Sequence, residues 1–123
     1  MAAQASMETF EGKLAELPSS GAYVLFKADW CPDCVRSTQA VRDAVAAAGG
    51  KLLEVDVAAQ PPAWKTPAHP LRKDPRFQLG GIPTLVHWKD GAVAAKLGAE
   101  LESAPTTAAA AQVAADFVTQ TSA

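Results

Sequence analysis

The sequence predicts an α/β fold, a central mixed β-sheet flanked by helices on both faces. Three observations carry that prediction. Residues 22–57 read as apolar run, helical pattern and second apolar run, the order of a right-handed parallel crossover. The run at 22–28 has no polar alternation, as expected of a strand covered on both faces. Two further apolar runs flank Asp90-Gly91, a strong hairpin dipeptide that adds an antiparallel pair.

The elements follow in order. Met7, Phe10, Leu14 and Leu17 recur at helical spacing, with Ser6 as N-cap and Pro18-Ser19-Ser20-Gly21 as the stop. The strand 22–28 leads into Trp30-Cys31-Pro32-Asp33-Cys34. Pro32 suits the first turn of a helix, where its missing N–H costs nothing. Cys34, Thr38, Val41, Val45 and Ala48 form that helix's inward stripe, and Gly49-Gly50 ends it. Residues 52–57 are the next strand. Four prolines between 58 and 73 argue against regular structure, so this stretch reads as a long insertion loop. Asp74-Pro75 starts a short helix over 75–79, stopped by Gly80-Gly81. Strands are expected at 84–89 and 92–98. A last helix begins near Ser103-Ala104-Pro105 and carries Ala110, Val113, Ala114 and Phe117 on one face.

Composition narrows the function classes. The 123 residues fit a single domain spanning the whole chain. Eleven basic against 13 acidic residues give a net charge of −2, which supports neither nucleic-acid nor membrane-surface binding. No apolar run approaches the roughly 18 residues of a membrane span. Residues 1–6 lack the basic and apolar parts of a secretory signal. They read as disordered, either a cloning remnant or a mature end left by cleavage. The two cysteines cannot scaffold a secreted domain of this size, so a reducing, cytoplasmic location is the default.

Cys31 and Cys34 at a strand-to-helix junction imply a dithiol/disulfide redox centre. The thiolate is the attacking species in disulfide exchange. Cys31 falls at the helix N-terminus, where unpaired N–H groups and the helix dipole favour a negative sulfur. Cys34 lies one turn further in, on the buried stripe. Cys31 is therefore the expected nucleophile and Cys34 the resolving thiol. Half a zinc site is the competing reading. It needs two more ligands, and His69 and His87 are the only histidines.

Asp33 has three readings. It stabilises the helix start as an acid there; its charge opposes the Cys31 thiolate; or it relays a proton to or from Cys34. Trp30 either shields the motif and offers an apolar contact or is purely structural.

The whole pattern resembles the thioredoxin fold. Trp-Cys-x-x-Cys follows a strand, and Gly81-Ile82-Pro83-Thr84-Leu85 precedes a hairpin. The middle of the chain is similar to a narrower family, thioredoxin domain-containing protein 17, whose plant members are called Clot. The residues that carry this are Trp30-Cys31-Pro32-Asp33-Cys34, Trp64-Lys65-Thr66-Pro67, His69-Pro70-Leu71-Arg72 and Asp74-Pro75-Arg76-Phe77. The resemblance spans roughly residues 8–100. It implies a small, monomeric, cytosolic thiol-disulfide reductase serving electron transport, with a narrower substrate range than thioredoxin. No bound cofactor is implied. Reducing equivalents would come from NADPH through thioredoxin reductase or an equivalent donor, and substrates would be protein disulfides or cystine.

By the same resemblance Pro83 is expected cis beside the cysteines, with a trans proline at a strand start as the alternative. The Ile82 backbone would pair with an extended substrate. Thioredoxins usually carry a buried acid six residues before the first cysteine, where this chain has Leu25. That raises the weight on Asp33 or a water as proton acceptor. Gln39 stands where both families commonly have proline, which removes the basis for a helix kink. Trp64, with Lys65, His69, Arg72 and Lys73, either selects substrates from the loop or tucks against the body. A non-enzymatic alternative remains: a binding adaptor whose loop and Trp30 hold a partner whatever the redox state.

Overall fold

A computed structural model describes residues 3–122. Among them five strands form one sheet: β1 (Ala3–Ala5), β2 (Ala22–Lys27), β3 (Leu52–Asp56), β4 (Thr84–Lys89) and β5 (Ala92–Leu97), in the order β1-β3-β2-β4-β5. The helices are α1 (Phe10–Ala15), α2 (Pro32–Ala47), α3 (Pro61–Trp64), α4 (Pro70–Lys73), α5 (Ala99–Glu102) and α6 (Thr107–Thr121). β3 runs parallel to β1 and β2, whereas β4 is antiparallel to β2 and β5. The mixed sheet expected from the sequence is thus present.

All six residues of β2 are buried, because each face of the sheet is covered. Val24 and Phe26 join Phe10, Val55, Phe77 and Trp88 in one core cluster. Tyr23 and Leu25 join Val41, Val45, Leu85, Ala110 and Ala114 in the other. Period-two alternation therefore operates, but it sends side chains to two apolar layers rather than to core and solvent. The hairpin joining β4 to β5 turns at Asp90 and Gly91, with φ of 55° and 73°. Two consecutive positive φ values are what a type I′ turn requires, and Asp-Gly supplies them cheaply.

Several expectations change. Residues 3–5 are a strand rather than part of a disordered end, and residues 1 and 2 lie outside the described residues. The first helix starts at Phe10 with Thr9 in the N-cap position, not Ser6; Ser6 instead forms a turn, its N–H donating to Thr9 Oγ1 at 3.0 Å. The loop 58–73 holds two short helices, each begun by its own proline, at Pro61 and Pro70. Prolines placed at the first helical position start a helix instead of breaking one. The helix expected over 75–79 is a single turn, ended where Gln78 takes φ 48°. The last helix begins at Thr107, capped by the Thr106 hydroxyl accepting from the Ala109 N–H, and α5 precedes it. The inward face of α2 is Cys34, Ser37, Ala40, Val41 and Val45; Ala48 is exposed.

Candidate active site

β2 ends at Lys27, and the chain turns through Ala28, Asp29 and Trp30 into α2. The turn closes with the Cys31 N–H donating to the Ala28 carbonyl at 3.2 Å. Cys31 is the N-cap of α2, in extended geometry, and its sulfur accepts the Cys34 N–H at 3.4 Å. Ser, Thr, Asn and Asp usually fill this role by offering an oxygen to an orphaned helix N–H. Here sulfur fills it, and a negative sulfur accepts such a bond better than a thiol. The Cys31 thiol also faces the Ile82 carbonyl at 3.9 Å. Both cysteines are free and buried, Cys31 at 7% exposure and Cys34 at 1%.

The two sulfurs differ electrostatically. Burial pushes the Cys34 thiol far above its ordinary range. Its hydrogen bond with Cys31 and the charges of Cys31 and Asp33 act the same way, while the Ala28 N–H opposes them. Cys34 is thus held as a thiol until its surroundings change.

The Ile82-Pro83 peptide is cis, and both residues are buried against the cysteine turn. The Thr84 hydroxyl donates to the Gly81 carbonyl at 2.8 Å, which fixes the approach to this peptide. Trp30 is partly buried, its indole N–H donating to the Ala58 carbonyl at 2.9 Å. Asp33 forms an ion pair with Arg36, whose Nε also donates to the Ala104 carbonyl at 2.9 Å. The structure thus brings Trp30, Cys31, Cys34, Ile82 and Pro83 together, with Asp33 on the rim.

Trp64 does not join them. Of its two readings, substrate contact from the loop or a ring tucked against the body, the structure has the second: Trp64 is 3% exposed and belongs to the core. Its ring is covered by the Arg72 guanidinium, 4.0 Å above it, and by the edge of His69. Arg72 donates to the carbonyls of Trp64 and Gly80, so it ties the loop to the segment before Ile82. His69 is itself buried: Nε2–H donates to the Val57 carbonyl at 2.7 Å and Nδ1 accepts the Leu71 N–H at 3.1 Å. With both ring nitrogens engaged it has no lone pair left for a metal. His87 lies far along β4, paired in register with Tyr23. Among the described residues no cluster of three metal-ligating side chains occurs.

Sequence reasoning missed one buried acid. Leu25, where a buried acid was sought, pairs in register with Glu54 of the neighbouring strand. Glu54 is fully buried, and both its oxygens are taken: Arg42 of α2 donates at 2.6 and 2.8 Å, and the Gln4 amide at 3.0 Å. Burial acts to raise its pKa, but the Arg42 and Gln4 hydrogen bonds outweigh that and hold it below the ordinary carboxylate value. Glu54 therefore clamps α2 and β1 to the sheet. Alternation inside Leu52–Asp56 could not have flagged it, since Glu54 shares its face with Asp56 and reads as solvent-facing.

The strand order, the cysteine turn at the C-terminal end of β2 and the cis peptide beside it define a thioredoxin-fold protein. Solved thioredoxins share the architecture. That of Malassezia sympodialis matches with a TM-score of 0.65 over 99% of this chain and 92% of the other, at 18% identity. The germline-specific Deadhead protein of the fruit fly matches at 0.58, with 18% identity and 80% and 86% of the two chains covered. Residues 6–102 match the thioredoxin domain of the thioredoxin domain-containing protein 17-like family, and the chain belongs to it. Among relatives, the thioredoxin-like protein Clot of Arabidopsis thaliana is 36% identical over 108 residues, covering 76% of this chain and 81% of the relative. Clot of Oryza sativa is 49% identical over 74 residues, which span 56% of this chain and 53% of the rice protein.

Proposed function

We propose that the chain is a thiol-disulfide oxidoreductase that reduces protein or small-molecule disulfides through Cys31 and Cys34. The observation that carries this reading is the unequal pair: Cys31 caps the helix start, and Cys34 lies one turn behind it, more deeply buried and held as a thiol. The Cys31 thiolate attacks a substrate sulfur, one half of the substrate leaves as a thiol, and a mixed disulfide remains. Cys34 then gives up its proton, attacks the Cys31 sulfur and releases the second half. The Cys31–Cys34 disulfide takes two electrons from thioredoxin reductase or an equivalent donor, ultimately from NADPH. The Ile82 N–H has no acceptor among the described residues, so it is free to pair with an extended substrate. The site is expected to work in the cytoplasm; no helix among the described residues is long and apolar enough to cross a membrane.

The test is an NADPH-coupled assay with thioredoxin reductase, comparing insulin with cystine. Turnover is expected, with Cys31→Ser abolishing it and Cys34→Ser accumulating a mixed disulfide visible by mass spectrometry. Full activity in Cys31→Ser would overturn the mechanism. Unchanged partner capture by a variant lacking both cysteines, with no reduction by the intact protein, would favour the adaptor instead.

A further inference from the structure

We propose that Glu102 selects substrates by charge, favouring disulfides that carry a cationic group near the reacting sulfur. The proposal rests on the reductase reading of Cys31 and adds a specificity residue to it. Glu102 ends α5, between two core anchors, Leu101 at 0% and Ala104 at 4% exposure. Its backbone is therefore fixed. Its half-buried carboxylate lies directly against the Gly81 backbone: a Cβ on Gly81 would stand 2.5 and 3.0 Å from its two oxygens. Only the missing side chain of Gly81 makes room for it there.

Gly81 immediately precedes Ile82, whose carbonyl faces the Cys31 sulfur at 3.9 Å. The carboxylate thus lies against the residue that precedes the one facing the Cys31 sulfur. Among the described residues Glu102 has neither an ion-pair partner nor a hydrogen-bond donor. Arg36, the basic side chain on that flank, is already committed to Asp33 and to the Ala104 carbonyl. On the other side of the segment Arg72 is committed to the Gly80 and Trp64 carbonyls and to the Trp64 ring. Arg72 keeps its positive charge, since carbonyls and a ring do not neutralise it, so the α5 side of the segment is negative and the α4 side positive. A cation arriving on the α5 side, beside Glu102, gains attraction, whereas a second anion there meets repulsion.

Stoichiometric mixed-disulfide formation reads this without a reductase. Cys34→Ser protein is mixed with cystamine, a diammonium disulfide, or with 3,3′-dithiodipropionate, a dicarboxylate. The Cys31 thiolate bonds to one sulfur of the reagent, its S–S bond breaks, and the other half leaves as a thiolate that takes a proton. The rate of each adduct is followed by mass spectrometry at low salt. The cystamine-to-dithiodipropionate rate ratio is expected to exceed that of the same reagents with a free thiol. Adding Glu102→Gln should lower the ratio by about three- to tenfold, the scale of one partly screened charge. Gly81→Ala, whose methyl displaces the carboxylate, should lower it in the same direction. Glu100→Gln, on the exposed side of α5, should leave it unchanged. A ratio that Glu102→Gln does not move, with Cys31 still reacting, overturns charge selection alone. No adduct with either reagent overturns the reductase reading and this proposal together.

Discussion

The fold acts on Cys34 and Glu54 in opposite senses. Cys34 keeps its proton because burial first, and its hydrogen bond with Cys31 second, make a negative sulfur costly there. At neutral pH iodoacetamide should label Cys31 and spare Cys34 in the reduced, folded protein. Peptide mapping checks this, and denaturant should bring the two rates together. First labelling at Cys34 would reverse the assigned roles. Glu54 makes the opposite case: a buried acid kept charged by two partners. Arg42→Ala leaves that carboxylate unpaired in the interior and should cost about 3 kcal/mol in urea unfolding. Replacing Glu54 and Arg42 together by apolar residues should restore much of that loss, because the desolvation penalty goes with the pair.

At the scale of elements, the fold shows which local signals are self-sufficient. α2 was legible down to its first residue, since proline at N1 and the closing glycines agree, while its buried face takes in Ser37 and Ala40 instead of Ala48. The hairpin was equally legible, because Asp90-Gly91 demands its turn by itself. β1 was not, because Ala3-Gln4-Ala5 carries no strand pattern; it is a strand only by pairing with β3 and through the reach of Gln4 to Glu54. α3 and α4 were hidden because four prolines read as breakers until their positions within each turn are known. The loop owes its order to His69, which joins the Val57 carbonyl to the start of α4. His69→Ala strands one buried donor and one buried acceptor, and should cost about 2 kcal/mol. Hydrogen exchange should then rise first at Leu71, ahead of the sheet. Uniform exchange across sheet and loop would show that His69 is not the latch.

At the scale of the molecule, the cysteine turn, the cis peptide and the sheet order were readable together because the motif pins the fold and the fold pins the motif. Trp64 was not placed, because an aromatic in a proline-rich loop is apolar enough for the core and for a partner alike, and only packing decides. The acid rim was not placed either, since Glu102 reaches Gly81 through tertiary contact alone. The whole-molecule property most open to measurement is stability against pH. His87 packs against the Tyr23 ring at 5.0 Å, and its Nε2 stands 3.0 Å from where a Gly21 Cβ would be. Burial first, and the Lys89 charge second, push its pKa below the ordinary value near 6.5. Below that value the unfolded chain binds a proton that the folded chain resists, so stability falls with pH. The loss begins near pH 6.5 and ends once pH has passed the depressed folded value. Glu54, also depressed, adds a second loss below its ordinary value near 4.5, with half-buried Asp74 and exposed Asp29 contributing to it, the latter screened by salt. Urea unfolding from pH 8 down to pH 3 should show both stages. His87→Phe, which keeps a ring against Tyr23 and removes the proton site, should erase the upper stage and leave the lower. An upper stage that survives in His87→Phe would assign it to another group.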